Sequence, residues 1–259
     1  MSVKNTLKIS LIQSNLRHQN VEANLNNFNM LLSKIEDTEI ILLPEMFNTS
    51  FSPKSTHLAE NMNGETITWM KEVSQKKGCA VAGTLMIREN KKIYNRLIWI
   101  SKNGTIYTYD KSHLFSLINE QNHITKGKKR LIINHDGWKI CPLICYDLRF
   151  PVFSRNTVDY DILIYLANWP VKRSDDWRTL LKARAIENQS YTIGVNRLGK
   201  DINQIEFSGM SKVFDAAGKE ILDAGSKNQA LTIELNFKKL EEYRKKFSFL
   251  KDRDKFSLE

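Results

Sequence analysis

Apolar residues along this chain alternate between short strand-like runs and stretches with helical spacing. The strand-like runs predict strands at 7–13, 39–43, 79–88, 92–101, 105–109, 131–134, 138–144, 161–166, 191–196, 210–215, 220–224 and 231–235. Apolar spacings of three and four residues predict helices at 21–35, from 67 to the residue before Gly78, at 175–188 and at 238–247. Such alternation is typical of a layered α/β protein rather than an all-helical or an all-β one.

Local signals mark the boundaries of several elements. Asn20 is placed to cap the first helix, and Gly78 to end the second. Asn103-Gly104 favours a tight hairpin, so the strands between 79 and 109 are expected to pair antiparallel. The strands predicted after residue 190 are expected to close the sheet.

The chain is expected to form a single domain over 1–259, with 248–259 as a C-terminal tail. Its 259 residues, 41% of them hydrophobic, are enough for one large buried core. No low-complexity linker interrupts them. The tail has no periodic pattern, so it is either a frayed end or a segment that packs on a partner subunit through Phe249, Leu250 and Phe256.

Composition indicates a reducing compartment and argues against a nucleic-acid partner. Three cysteines, Cys79, Cys141 and Cys145, are an odd number and too few for a disulfide framework. The first residues do not resemble a signal peptide or a membrane span, so a cytoplasmic location is expected. The net charge of +10 comes from basic residues spread along the chain, which favours a solvated surface over nucleic-acid binding.

Three reactive side chains follow predicted strands directly. Glu45 follows the strand that ends at 43, Lys111 the strand that ends at 109, and Cys145 the strand that ends at 144. Ligands of α/β proteins gather at the carboxyl ends of strands. A nucleophile, a base and a cation at one edge can perform acyl transfer without a metal ion or a cofactor.

Each of these residues also has a structural interpretation. A single intracellular cysteine is more often a small buried apolar residue than a nucleophile, and Cys79 and Cys141 are interpreted in that way. Glu45 could be a surface carboxylate, although its apolar neighbours would desolvate it and suit it to general base catalysis. Lys111 could be a solvated lysine or the partner of Asp110.

Segments around these three residues resemble, in order and spacing, the glutamate, lysine and cysteine motifs of the nitrilase superfamily of carbon-nitrogen hydrolases. The segments are 44–47 (Pro-Glu-Met-Phe), 110–115 (Asp-Lys-Ser-His-Leu-Phe) and 145–151 (Cys-Tyr-Asp-Leu-Arg-Phe-Pro), with further similarity at 168–170, 183–189, 194–197 and 209–218. Within the superfamily the sequence is most similar to the omega-amidases, which act on 2-oxoglutaramate and 2-oxosuccinamate. The resemblance implies a four-layer α-β-β-α sandwich and a homodimer or larger assembly.

The same resemblance implies a role for each reactive residue. Cys145 attacks the amide carbon, and Glu45 takes the thiol proton and returns it to the departing ammonia. Lys111 stabilises the oxyanion beside the backbone amide of Tyr146, and water activated by the same glutamate then hydrolyses the thioester. Glu120 resembles the second glutamate of the family, and a plain loop carboxylate is the alternative for it.

Omega-amidase substrates carry a carboxylate away from the scissile amide, so a buried cation or a cluster of amides is expected to receive it. Arg173 is the first candidate, with Arg197 and Arg149 as alternatives; for Arg149 an ion pair with a nearby acid is favoured over contact with the ligand. Phe115 and Trp169 are expected to wall the pocket, although aromatic residues are as often simple core.

One position departs from the family pattern. A histidine is expected just before Trp177, and the chain has Asp176 there. The departure concerns substrate positioning near this helix and leaves the three reactive residues untouched.

Other functions stay open at this point. N-carbamoyl amino acid hydrolysis and nitrile hydrolysis would use the same three residues. A papain-like enzyme is disfavoured because none of the five histidines lies in an obvious pairing motif, and a metal enzyme because ligand spacings are lacking. Outside the enzymes, the alternatives are a catalytically silent binding protein of the same fold and a nucleic-acid-associated factor.

Overall fold

Two six-stranded sheets form the centre of the computed structural model, which describes residues 3–257. Numbered along the chain, the first sheet contains β1 (Thr6–Gln13), β2 (Ile40–Leu42), β3 (Ala80–Glu89), β4 (Lys92–Ile100), β5 (Ile106–Asp110) and β14 (Gln229–Asn236). The second contains β6 (Ile133–His135), β7 (Trp138–Ile144), β8 (Ile162–Leu166), β9 (Tyr191–Val195), β12 (Lys212–Phe214) and β13 (Glu220–Asp223). A separate hairpin consists of β10 (Leu198–Lys200) and β11 (Glu206–Ser208).

Five helices accompany the strands in the described part of the chain. They are α1 (Val21–Leu32), α2 (Glu65–Lys77), α3 (Pro151–Ser154), α4 (Ser174–Asn188) and α5 (Phe237–Lys246). Among residues 3–257, no helix has the length and apolar character needed to cross a membrane.

Side chains of β1 show how the layers stack, because successive residues of a strand point to opposite faces. Ile9 and Leu11 pack into the core between the two sheets, whereas Ile12 packs beneath α1 with Phe28. On the second sheet, α4 lies so close to β9 that a Cβ at Gly194 would fall 2.5 Å from the side chain of Leu181. Helices therefore cover the outer faces of both sheets, which confirms the predicted α-β-β-α sandwich.

Strand directions bring several loops to one edge of the sandwich. In the first sheet β1, β2 and β3 are parallel, and β4 is antiparallel to both β3 and β5, so β5 runs in the same direction as β2. In the second sheet β7, β8 and β9 are parallel. The segments that leave the carboxyl ends of β2, β5, β7 and β8 carry Glu45, Lys111, Cys145 and Asn168.

Contrary to the expectation from the sequence, the last strand does not lie in one sheet with the strands that directly precede it. β14 leaves the second sheet and pairs antiparallel with β1 of the first, from Thr6 opposite Asn236 to Gln13 opposite Gln229. This register places Leu235 beside Leu7 in the core between the sheets. It also gives the backbone of β1 a hydrogen-bonded strand on the side away from β2.

Several predicted boundaries agree with the structure. The Asn20 side chain accepts a hydrogen bond from the Ala23 amide at 2.9 Å, and Gly78 ends α2 with a φ of +62°. The first helix ends at Leu32, earlier than predicted, although Ile35 is still buried. The short helix α3 and the β10–β11 hairpin have no counterpart among the predicted elements.

The tail contacts its own chain. Phe249–Asp252 forms a 3-10 turn, and the Gln189 side chain accepts a hydrogen bond from the Leu250 amide at 3.2 Å. This part of the tail is therefore docked rather than frayed. Phe249 and Phe256 are 60% and 41% exposed, and their packing on a partner subunit stays a prediction.

Candidate active site

Cys145 lies at the sharp turn between β7 and the 3-10 turn Cys145–Arg149. Its φ of +38° is in the left-handed region, which is costly for a residue with a Cβ and persists only where the surroundings enforce it. The residue is only partly buried, and its Sγ lies 3.7 Å from the carbonyl oxygen of Asn168. The turn therefore presents the thiol to the adjoining cavity.

The Asp147 carboxylate braces this turn. Its Oδ1 accepts hydrogen bonds from the His113 amide at 3.0 Å and from His113 Nδ1 at 2.7 Å. Its Oδ2 accepts from the Tyr109 hydroxyl at 2.7 Å and from the Ile144 amide at 3.0 Å. Asp147 thus ties the backbone before Cys145 to the end of β5.

Glu45 is a fully buried carboxylate whose oxygens face four donors. Its Oε1 accepts hydrogen bonds from Lys111 Nζ at 3.0 Å and from Asn95 Nδ2 at 2.8 Å. Its Oε2 accepts from the Asn168 amide at 3.0 Å and, more weakly, from Asn168 Nδ2 at 3.4 Å. These donors replace the water that the buried carboxylate lacks.

Lys111 lies between two carboxylates in a buried site. Its Nζ is 3.0 Å from Glu45 Oε1 and 3.1 Å from each carboxylate oxygen of Glu120. Burial opposes the charged ammonium, but the negative charges of Glu120 and Glu45 outweigh it and raise the pKa of Lys111 above its usual value. The side chain therefore stays a cation.

Glu120 begins the 3-10 turn Glu120–Asn122 and is fully buried. Its Oε2 also accepts a hydrogen bond from the Phe115 amide at 2.6 Å. Burial raises the pKa of Glu120, while the charge of Lys111 opposes the rise. The structure thus places Glu120 against Lys111 instead of leaving it as a plain loop carboxylate.

The three thiols differ in their surroundings. Burial raises the pKa of Cys79 to about 11 and that of Cys141 to about 12, and both residues lie in the core as predicted. Burial, followed by the charge of Glu45, also raises the pKa of Cys145 well above its usual value, although Lys111 opposes the rise. Cys145 at rest is therefore a neutral thiol, which needs a base within reach to act as a nucleophile.

A cavity of about 600 Å³ opens beside Cys145. Its wall includes Phe115, Tyr146 and Trp169, and the rings of Phe115 and Tyr146 lie 4.9 Å apart. Tyr146 is the second residue of its 3-10 turn, where a backbone amide has no acceptor within the turn. An amide in this position is free to donate to a bound ligand.

Two arginines on the cavity wall have different partners. The guanidinium of Arg173 lies 5.4 Å from the ring centroid of Phe115 and forms no ion pair with any residue between 3 and 257. Arg149 pairs with Asp176 and lies 5.0 Å from the ring centroid of Trp169. The departure from the family pattern at position 176 therefore supplies the acid that was expected to hold Arg149.

Arg197 lies outside the cavity wall. Its buried guanidinium donates hydrogen bonds to the Ser50 hydroxyl and to the carbonyl oxygens of Leu16 and Leu198. Burial lowers the pKa of Arg197 to about 10. These contacts make it a structural residue that links the start of β10 to loops of the first sheet.

Sequence reasoning missed four polar residues around the reactive groups: Thr84, Asn95, Asp147 and Asn168. Asp147 and Asn168 lie inside segments that carried the family resemblance, so their position was a usable signal. Thr84 and Asn95 lie in the interiors of β3 and β4, where the apolar pattern gives a polar residue no special meaning.

Neither a thiol–histidine pair nor a metal site is found in the described part of the chain. His113 hydrogen-bonds to Asp147 and stacks on Phe150 with ring centroids 3.7 Å apart, and no histidine within residues 3–257 bonds to Cys145. Those residues contain no group of three His, Cys, Asp or Glu side chains that could hold a metal ion.

Comparison with known proteins gives consistent matches over nearly the whole chain. The family model "Carbon-nitrogen hydrolase" matches residues 8–245. An omega-amidase, YafV, from Yersinia enterocolitica is 43% identical over 98% of this chain and 99% of its own length. A 2-oxoglutaramate amidase from Bacillus subtilis is 30% identical over 94% of this chain and 96% of its own length.

A solved structure shares both fold and sequence. The CN-hydrolase superfamily protein from Xanthomonas campestris, crystallised with an arsenic adduct in its active site, has a TM-score of 0.96 and is 36% identical. The match covers 99% of this chain and 100% of that one.

Proposed function

Since this chain belongs to the carbon-nitrogen hydrolase family, we propose that Cys145, Glu45 and Lys111 are the groups with which it hydrolyses amides. The chain is an omega-amidase-like hydrolase that acts on the terminal amide of 2-oxoglutaramate, as its relatives named for that activity support. The observation that carries the assignment of residues is the meeting of thiol, carboxylate and ammonium at one end of a cavity.

The first step forms a bond between Cys145 Sγ and the amide carbon. Because the thiol is neutral at rest, its proton must leave as the bond forms, and Glu45 is the carboxylate beside it. The 3.4 Å contact between Asn168 Nδ2 and Glu45 Oε2 is the weakest of the four hydrogen bonds to Glu45, so Oε2 receives the proton.

The carbonyl oxygen becomes an oxyanion in this step. Lys111 Nζ and the Tyr146 amide stabilise it, and a fixed donor of this kind contributes a factor of about 100 or more in rate. When the intermediate collapses, the carbon–nitrogen bond breaks and the proton on Glu45 moves to nitrogen. Ammonia leaves, and a thioester remains on Cys145.

Water completes the cycle. Glu45 takes a proton from the water as its oxygen attacks the thioester carbon. The second tetrahedral intermediate expels sulfur, which recovers a proton from Glu45, and the acid product leaves. The enzyme returns to its neutral thiol and ionised carboxylate.

Arg173 is the proposed partner of the substrate carboxylate. It is an arginine on the cavity wall without an ion pair among residues 3–257, whereas Arg149 is already neutralised by Asp176. A guanidinium can bind a carboxylate through two parallel hydrogen bonds. The nearby ring of Phe115 helps to orient the Arg173 guanidinium through a cation–π contact.

Arg173→Ala is expected to raise KM for 2-oxoglutaramate about 10- to 100-fold, because it removes a charged hydrogen-bond partner. Steady-state ammonia release measures the change, and wild-type activity on 2-oxoglutaramate against N-carbamoyl-β-alanine tests the proposed substrate class. A neutral amide without the distal carboxylate should show the same KM in both proteins.

Arg149→Ala is the matched control, since it removes an arginine from the same wall. Its effect on KM should be smaller than that of Arg173→Ala. An unchanged KM in Arg173→Ala would contradict the role of Arg173, and a preference for N-carbamoyl-β-alanine would contradict the substrate class.

Three broader expectations stay proposals. Residues 1–259 are proposed to form a single domain, and the continuous core between the two sheets supports this. A homodimer and a cytoplasmic location are proposed from the sequence.

A further inference from the structure

We propose that Thr84 and Asn95 are positioning residues that hold Glu45 in the orientation needed to accept the thiol proton. The proposal rests on the function proposed above. Thr84 lies in β3 and Asn95 in the neighbouring β4, and both are fully buried. Neither lines the cavity, whereas Glu45 does, so they act through Glu45.

The direction of each hydrogen bond follows from the groups present. The Met46 amide can only donate, and it donates to Thr84 Oγ1 at 2.8 Å. Thr84 must then direct its own proton to Asn95 Oδ1, 2.9 Å away. With its oxygen occupied in this way, Asn95 presents its Nδ2 to Glu45 Oε1 at 2.8 Å.

Thr84 therefore holds Glu45 from two sides. Through Asn95 it orients the carboxylate, and through the Met46 amide it holds the backbone next to Glu45. Met46 has a φ of +42°, a left-handed conformation that needs support in a residue with a Cβ. One hydroxyl thus fixes both the backbone and the side chain of the base.

The charged and titratable groups facing Glu45 explain why the orientation matters. Lys111 and Asn95 hold Oε1, whereas Oε2 accepts from the Asn168 amide at 3.0 Å and keeps only a weak second contact, 3.4 Å to Asn168 Nδ2, on the oxygen that we assign to the thiol proton. Glu120 lies on the far side of Lys111 and shares its charge. If the Asn95 amide turned over, its oxygen would face Glu45 Oε1 and repel it.

Thr84→Val tests the proposal, because valine has nearly the same shape without the hydroxyl. We expect kcat to fall about 10- to 100-fold with KM changed less than about threefold, since the substrate carboxylate site is not touched. The pH profile of kcat/KM should also differ from that of the wild type, because the carboxylate of Glu45 loses a fixed hydrogen-bond donor. Thr84→Ser keeps the hydroxyl and should restore kcat to within about threefold of wild type.

Thr192→Val is the matched control. Thr192 is also a fully buried strand threonine, and its hydroxyl has no hydrogen-bond partner among residues 3–257. This substitution should leave kcat and the pH profile unchanged. A kcat loss in Thr192→Val equal to that in Thr84→Val would show a general packing effect and overturn the proposal.

Asn95→Asp provides a second test should Thr84→Val fail to fold. It keeps the shape of the side chain but places a second carboxylate beside Glu45, so activity should fall at neutral pH and the profile should change shape. Wild-type kcat and pH dependence in Asn95→Asp or in Thr84→Val would overturn the positioning role. An active Cys145→Ala protein would instead overturn the proposed function, so the two failures are distinguishable.

Discussion

Replacing Cys145 with alanine is expected to lower kcat for 2-oxoglutaramate about 10⁴-fold or more while the protein stays folded. The substitution removes the atom that forms the covalent intermediate. Cys145 is not fully buried, and its thiol makes one long hydrogen bond, to the Asn168 carbonyl, so its loss should change the free energy of unfolding by less than about 1 kcal/mol. Ammonia release and thermal unfolding measure the two effects.

Cys79→Ala is the control for this experiment. Cys79 is a core thiol, so its removal should lower stability without changing kcat. Turnover by Cys145→Ala at a rate near that of Cys79→Ala would contradict the assignment of the nucleophile.

Glu45→Gln is expected to lower kcat about 10²- to 10⁴-fold, because the amide has nearly the shape of the carboxylate but cannot accept the thiol proton. The NH2 group of the glutamine side chain would also face a donor, either Lys111 or the Asn168 amide, because both oxygens of Glu45 accept hydrogen bonds. At least one of these hydrogen bonds would therefore be lost. Steady-state kinetics measures the effect, and alkylation of Cys145 should become slower as well.

Glu72→Gln is the control for the loss of a charge, since Glu72 is exposed on α2. It should behave as the wild type. A Glu45→Gln protein that kept wild-type kcat would remove Glu45 from the proton path.

The proximity of the three reactive residues could be predicted because each of them follows the end of a strand. Glu45, Lys111 and Cys145 each follow a strand of predictable apolar pattern, and β2 and β5 run in the same direction within the first sheet. The local sequence therefore indicated that the three side chains share one edge of the sandwich. The resemblance to the family motifs, in order and spacing along the chain, supported this prediction. Glu120 was found through the resemblance and not through any strand signal.

Contacts that depend on the register or the partner of a strand could not be predicted in this way. Thr84 and Asn95 meet because the β3–β4 register places Thr84 opposite Leu97 and Met86 opposite Asn95. A shift of this register by one residue would put the two side chains on opposite faces of the sheet. The same limit applies to β14, whose partner β1 lies at the other end of the chain.

The effect of Asp176 depends on the tertiary structure. The sequence showed an acid where the family pattern has a histidine, and it showed Arg149 as a candidate for pairing with some acid. Only the approach of α4 to the turn after Cys145 joins the two residues. Of the two arginines on the cavity wall, Arg173 is then the one without an ion pair among residues 3–257.

A covalent acyl-enzyme on Cys145 is tested most directly by a single-turnover experiment. Enzyme in excess is mixed with 2-oxoglutaramate, quenched with acid at successive times and analysed by peptide mass spectrometry. The peptide that contains Cys145 should gain the mass of one 2-oxoglutaryl group, with ammonia released before the free acid appears. An acyl group on a different residue, or complete hydrolysis by Cys145→Ala over the same interval, would contradict the covalent role of Cys145.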